Sequence, residues 1–483
     1  MVVREKTAVI NDLRDWLREV EALGELQRVK GAHWDAEMGP LTHLMHEAKP
    51  GYVPALLFED IPGYPAAYRT LYGQLSTIKR LALTLGLPTE YQSKADFVRA
   101  YWERMSNLQP LPAVEVPSGP VMENVHTGDD VDVLEFPVPR HHELDTARYI
   151  GTACCVITQD PDEGWYNLGT YRSTVYDAKT VGCQITEGKH GRIHRDTYFE
   201  RGQTMKVAIV CGQDPLLYFL GSSPLPGGVS EYDYAGGIRG EPIEVVRGVY
   251  TGFPVPATAE IVIEGDMVPG DVLPEGPFGE WTGYYCSGSV PRPCVRVKSV
   301  MHRNDPILTC APQHKPVDET VLLKGVAAAA GIWQALRASG IPEIRGVWCH
   351  EGAAGVRFVV VSIQQRYPGH SRQVLHAAVA CQAGAYNGKW NVVVDEDIDP
   401  SDMNQVLWAI STRFDPVIDV DIMQRAWSSG RDPMVLPGNF NNRILIDACI
   451  PYDQKLKGTF PAVVDVSQEL RQKLRGKYRD LLA

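Results

Sequence analysis

Between about residues 118 and 310, short β-branched runs recur, separated by Gly and Pro: Ala153–Thr158, Met205–Cys211, Glu260–Glu264 and Val295–Met301. This punctuation predicts an antiparallel barrel or split sheet. Both flanks read differently. Before it, Ile10, Leu13, Trp16, Leu17 and Val20 share one face of a helix over 8–23. Helices are also expected over 74–86 and 93–106, the latter capped by Ser93, with a strand at Pro54–Phe58 between the first helix and these. A Pro-rich stretch, Gln109–Pro117, closes this α/β part. After the β-rich middle comes an Ala-rich helix over 319–339. Strands (Arg357–Ile363, Trp390–Val394) then alternate with helices (Ser371–Tyr386, Met403–Ile410), the pattern of an α/β domain. A charged amphipathic helix, Ser467–Leu482, ends the chain and is expected to pack on a neighbour. The expected division is 1–115, 116–315, a linker helix 316–340, and 341–483. At 483 residues, more than one hydrophobic core is needed.

The formal net charge of −12 repels phosphate backbones, which argues against nucleic acid as a general partner. A local basic pocket can still hold an anionic substrate. No apolar run reaches the ~18 residues of a membrane span, and the charged N-terminus lacks a signal-peptide core. Ten cysteines occur without a Cys-x-x-Cys pair, mostly in apolar contexts. They read as reduced, buried thiols of a cytoplasmic protein, which argues against a disulfide framework and a structural zinc site.

Phosphate-loop, Gly-x-Gly-x-x-Gly, Gly-x-Ser-x-Gly and His-Glu-x-x-His motifs are missing. Three polar clusters remain: Asn167–Arg172, Lys189–His194, and Ser222–Glu231 followed by Glu275-Gly-Pro-Phe-Gly-Glu280. The last segment cannot be helical. It can fold two carboxylates toward one pocket, where burial and like charge would raise one pKa and let that group deliver a proton near neutrality. On spacing alone it reads more readily as an exposed turn with two solvated acids, because such turns are common. Asn167, His190 and Glu231 supply donors suited to Mn²⁺ or Mg²⁺, or are three unrelated polar residues. His43 and His46 read as packing or surface residues.

Taken in order, four strings resemble the UbiD family of prenylated-FMN-dependent decarboxylases. They are Asn-Leu-Gly-Thr-Tyr-Arg172, Pro-Leu-Pro-Gly-Gly-Val-Ser-Glu231-Tyr, Val-Pro-Ala-Thr-Ala-Glu-Ile-Val-Ile-Glu-Gly265, and Pro-Glu275-Gly-Pro-Phe-Gly-Glu280-Trp. Trp-Ala-Ile-Ser-Thr-Arg-Phe-Asp-Pro416 fits the family's last domain. The resemblance implies a multidomain α+β and α/β chain whose central split β-barrel, of flavin-reductase type, holds the cofactor between N- and C-terminal α/β domains. It implies reversible non-oxidative decarboxylation of an aromatic or α,β-unsaturated acid through a covalent adduct with prenylated FMN. The catalytic Glu-Arg-Glu network falls on Glu275, Arg172 and Glu280, with Glu280 as proton donor. The divalent metal ligands fall on Asn167, His190 and Glu231, with His194 as the alternative to His190. Potassium falls near Gly221–Ser223 and Glu231. The cofactor set adds Thr170, Tyr171, Ser222, Ser223 and, at the phosphate, Arg443, where many relatives carry lysine.

The implied partners are an aromatic acid, carbon dioxide or bicarbonate, a flavin prenyltransferase as supplier, and further copies of the chain in a homodimer or homohexamer. His314, Lys315, Asp318, Glu319, His350 and Glu351 are candidate substrate-pocket residues. Two other readings are an FMN oxidoreductase on a related barrel, for which the two glutamates have no evident use, and a non-catalytic carboxylase subunit.

Overall fold

The computed structural model describes residues 10–49, 52–286 and 288–479. The first helix, Leu13–Ala22, is capped by the Asp12 side chain and buries Leu13, Trp16, Leu17 and Val20. These side chains pack with Ala55, Leu57, Leu71 and Ile307 against a four-stranded sheet. Its order is Leu26–Lys30, Ala55–Glu59, Arg69–Tyr72, Ile307–Cys310. The last of these strands lies at the far end of the β-rich region in sequence, yet pairs parallel with Arg69–Tyr72. The β-rich region is therefore inserted between the third and fourth strands of the first sheet. One cause is Glu260, fully buried and held by Arg14 at 2.8 Å while it accepts from the Ile307 backbone N–H.

Among the described residues the central sheet has nine strands, and its paired strands all run antiparallel. Its spine is the hairpin Ile261–Glu275 with Val290–His302. Only the apolar pieces Glu260–Glu264 and Val295–Met301 were expected as strands. The remainder carries Pro and Gly, and pairing continues past them through register shifts at Glu264/Gly265 and Met267/Val272. Side chains alternate between two cores. Cys154, Val156, Val207, Ile209 and Cys211 enter one, and Cys155, Ile157, Ala208 and Val210 the other. The sheet curls far enough that Cys211, on an inner strand, contacts the edge strand at the Ile150 carbonyl.

The Ala-rich helix runs Glu319–Ala338 and starts at the Asp318 cap. Its small residues let it lie buried between the central sheet's outer core and the last sheet. That last sheet orders as Ile344–Cys349, Phe358–Ile363, Trp390–Asp395, Phe440–Ala448, Val420–Trp427. The helix expected over 371–386 stops at Ala380, and 381–387 turn instead toward the central sheet. The closing helix, Gln468–Lys477, is capped by Ser467 and buries none of its residues. The end of the expected helix at 482 lies outside the described residues. All ten cysteines are free thiols, eight of them buried. Among the described residues, no helix is long and apolar enough to cross a membrane.

Candidate active site

A cavity of roughly 300 Å³ lies where the central sheet, the Ala-rich helix and the last sheet meet. Arg172 begins the strand Arg172–Asp177, and Glu275 ends the long strand Ile261–Glu275. Arg172 Nε donates to Glu275 Oε1 at 2.5 Å and Nη2 to Oε2 at 3.1 Å, a bidentate pair. Thr174 Oγ1 also donates to Glu275, at 3.2 Å. Arg172 Nη1 donates to Glu280 Oε1 at 3.0 Å. The loop between the two glutamates turns back at Gly276, whose φ of +100° favours a residue without Cβ. Phe278 from this loop lies 4.2 Å from the Arg172 guanidinium, covering its face. The two acids are therefore not a solvated turn, since each is only 4% exposed.

A second arginine, not anticipated from sequence, completes the network. Arg431 Nε donates to Glu280 Oε2 at 3.0 Å. Burial pushes the Glu280 carboxyl up, but Arg431 and Arg172 outweigh it and hold the group below the usual carboxylate range. The expectation that burial and like charge would raise this carboxyl is corrected for this arrangement. The two carboxylates do not confront each other, because arginines stand against them both.

Asn167, His190 and Glu231 line the same cavity. His190 opens the helix His190–Glu200, and Glu231 opens Glu231–Arg239. Glu231 Oε2 accepts from the Leu168 N–H at 2.7 Å, and burial pushes its carboxyl up to about 7. Asn167 Nδ2 donates to Tyr171 Oη at 3.2 Å, which leaves the amide oxygen as the group able to ligate. His194 does not reach the cavity wall; it sits in a separate buried contact, 3.0 Å from Thr158 Oγ1 and against Trp165. Thr170, Tyr171, Ser222 and Ser223 line the cavity too, with Ser222 Oγ donating to Thr170 Oγ1 at 3.0 Å.

Tyr171 explains two glycines. A Cβ at Gly169 would lie 2.1 Å from its ring and one at Gly191 2.6 Å. Gly169→Ala is expected to cost about 1–3 kcal/mol of stability by forcing Tyr171 out of place. Urea unfolding checks this, and an unchanged midpoint would show that the ring shifts freely.

Arg443 sits behind the wall rather than on it. It is 2% exposed, and its guanidinium donates to the carbonyls of Val379, Gly384, Ala385 and Trp427. Those bonds hold the 381–387 turn that brings Gln382, Ala383, Tyr386 and Asn387 to the cavity. The six substrate-pocket candidates also stand off the lining. His314 stacks on His43, Asp318 caps its helix, Glu319 accepts from the Leu75 N–H, and His350 Nε2 meets the Pro400 carbonyl. Lys94 reaches Glu351, and the Lys315 carbonyl meets His314. Glu319 and His350 meet backbone groups, His314 a ring, and Glu351 a lysine side chain, contacts that spacing cannot distinguish from pocket polarity.

The cations at the wall beside Arg172 and Arg431 are Lys189 and Lys324. Burial and neighbouring positive charge push Lys324 down to about 8 and lower Lys189 as well. Lys324 could have been singled out as the one charge inside an otherwise apolar helix, Thr320–Trp333. Arg431 had no comparable signal, lying in an irregular stretch.

Three descriptions of one family match in order. They are the N-terminal, Rift-related and C-terminal domains of 3-octaprenyl-4-hydroxybenzoate carboxy-lyase, over residues 17–95, 113–316 and 321–448. The phenolic acid decarboxylase of Bacillus subtilis (strain 168) is 30% identical over 478 residues, covering 96% of this chain and 98% of its own. The chain belongs to the UbiD family. Two solved structures share its fold. Vanillic acid decarboxylase of Sedimentibacter hydroxybenzoicus in open form gives a TM-score of 0.86 at 28% identity, covering 98% of this chain and 99% of its own. The UbiD-class enzyme HmfF from Pelotomaculum thermopropionicum, in complex with FMN, gives 0.84 at 28% identity, covering 97% and 100%. An evolved dimeric form of HmfF is in complex with prFMN. The family expected from the four strings is the one found, and its multidomain α/β fold is the one seen.

Proposed function

We propose that this UbiD-family chain catalyses reversible, non-oxidative decarboxylation of an aromatic carboxylic acid with prenylated FMN as cofactor. The observation that carries the reading is the buried Glu275–Arg172–Glu280 chain of ion pairs, of which Arg172 and Glu280 line the cavity. The residues fit the cofactor. Lys324, pushed down by burial and by Lys189 and Arg431, and Lys189, pushed down by burial and by Arg431, would be relieved by a phosphate or carboxylate. Glu231, raised by desolvation, would be held ionised by a divalent cation such as Mn²⁺ or Mg²⁺ alongside Asn167 and His190. Potassium near Gly221–Ser223, a prenyltransferase supplier, a homodimer or homohexamer and a cytoplasmic location belong to the same reading. So do the split-barrel description of the curled sheet and the four-part division of the chain.

When bound, the modified flavin supplies the electron sink that a departing carboxylate requires. The chain supplies the rest. Arg172, fixed by Glu275, holds the acid's carboxylate, and Phe278 keeps water from the guanidinium face. Glu280 delivers the proton that replaces carbon dioxide at the substrate carbon. The substrate is placed among aromatic acids because the relatives include phenolic and vanillic acid decarboxylases. Protein co-produced with a flavin prenyltransferase should carry prenylated FMN by mass and release carbon dioxide from a panel of hydroxylated benzoic and cinnamic acids. Unmodified FMN with nicotinamide-dependent reduction would favour the oxidoreductase reading instead.

His190→Ala should lose most bound flavin and divalent metal on gel filtration, since deleting a ligand weakens a site by at least the ~10–100-fold typical of outer partners. His194→Ala should keep both. Normal occupancy in His190→Ala would remove that residue from the ligand set.

A further inference from the structure

We propose that His126, Glu135 and His302 form a binding site for a borderline divalent transition-metal ion of the zinc type, outside the decarboxylation cavity. None of the three lines that cavity. Their ligand atoms all lie within 4.8 Å of one another.

The strand Asn124–Thr127 pairs antiparallel with the end of Val290–His302, so that His126 faces Val300 and Asn124 faces His302. His126 and His302 are thus diagonal neighbours on one face of the sheet. Their rings are nearly parallel, 5° apart, with the two Nε2 atoms 3.2 Å from each other. His302 Nδ1 lies 2.8 Å from the Arg303 carbonyl, where it can only donate. That bond places the proton on Nδ1 and leaves the Nε2 lone pair aimed at His126, the arrangement that orients metal-binding histidines. Glu135 ends the single turn Val133–Glu135, and its Oε2 stands 4.0 Å from His302 Nε2.

A hydrogen bond between the two imidazoles would satisfy one nitrogen pair only. It leaves Glu135 Oε1, which is buried, without a partner. A metal ion accounts for all three side chains. Two Zn–N bonds of ~2.0–2.1 Å at a tetrahedral angle put the nitrogens about 3.3 Å apart, close to the separation seen. Only the carboxylate needs to move inward. Phe136 and Tyr68 contact the His302 ring edge-on and hold it. His302 is 4% exposed, whereas His126 and Glu135 are half-buried. The site therefore opens to solvent on one side, where water can fill the fourth position. Two imidazoles and one carboxylate without thiolate suit zinc, cobalt or nickel rather than calcium or magnesium.

The test uses tag-free, full-length protein co-produced with the prenyltransferase and equilibrated with micromolar zinc. Metal is counted by plasma mass spectrometry, and cobalt is then substituted for its visible spectrum. Wild type should carry one more zinc per chain than His126→Ala or Glu135→Gln. Its cobalt form should show the intense bands of four-coordinate cobalt that both variants lack. Zinc affinity at this site should fall by at least about 100-fold in each. Both variants should keep flavin and turnover, which separates loss of this site from loss of fold or of the cavity. Equal zinc content in wild type and both variants, or cobalt bands unchanged by either substitution, would overturn the proposal. Glu135→Gln keeps the side-chain shape, so it decides the matter if His126→Ala disturbs the strand.

Discussion

Glu280→Gln is expected to bind prenylated FMN at wild-type occupancy while kcat falls by about 10²–10⁴-fold, the contribution of a placed proton donor. The amide preserves volume and can still accept from one arginine. It cannot carry a proton to carbon. The same variant should stop exchanging solvent deuterium into the product. Exchange is the sharper readout, because it reports proton transfer even where carbon dioxide release is slow for other reasons. Retained exchange would move the proton to another group. A stability cost accompanies the change. Arg172 and Arg431 each donate to Glu280 at 3.0 Å, and both lose a charged acceptor. Removing the charge from such buried hydrogen bonds is worth about 1–3 kcal/mol. Unfolding of the flavin-free and flavin-loaded protein measures that cost separately from the loss of turnover.

The parts of this site that were readable in sequence are those carried by contiguous strings. Asn167–Arg172, Glu231 and Glu275–Glu280 lie on strand ends, a helix start and one tight loop, so local order in the chain becomes proximity in space. Strand and helix placement was legible where periodicity was clean, as at Met205–Cys211, which the structure reproduces to the residue. It failed where Pro and Gly interrupt a strand that pairing nonetheless sustains, as in Ile261–Glu275. It failed again where the terminal strand of a sheet is supplied by distant sequence, as with Ile307–Cys310. Arg431 and Arg443 show the same limit. Both are arginines in the last third of the chain, with no motif to say which faces the cavity. Packing decides it: carbonyls capture Arg443, and Glu280 captures Arg431. His190 and His194 lie four apart on one helix. Helical spacing put them on a common face but not at equal depth, so only His190 meets the cavity.

Arg431→Met should alter the protein in a pH-dependent way that no purely steric role predicts. In the wild type, burial raises the Glu280 carboxyl while Arg431 and Arg172 lower it further, for a net depression. A group whose folded pKa is depressed contributes stability above its unfolded value of about 4.3, and that contribution is lost as pH falls through the folded value. Removing Arg431 takes away the strongest charge interaction opposing burial. The folded carboxyl then rises, and its contribution at neutral pH shrinks. The deficit relative to wild type should therefore be larger at pH 7 than at pH 4. Breaking a fully buried pair costs about 3–5 kcal/mol, reduced here to about 1–3 because Arg172 still faces Glu280. Activity should report the same shift in the other direction. Decarboxylation consumes a proton, so turnover falls as Glu280 becomes harder to protonate. A higher Glu280 pKa must then move the alkaline limb of kcat, measured at saturating acid, to higher pH. Two outcomes would sink the account: equal stability deficits at pH 7 and pH 4, or an alkaline limb that stays where the wild type has it. Either would mean that Arg431 fills space beside Glu280 without setting its charge.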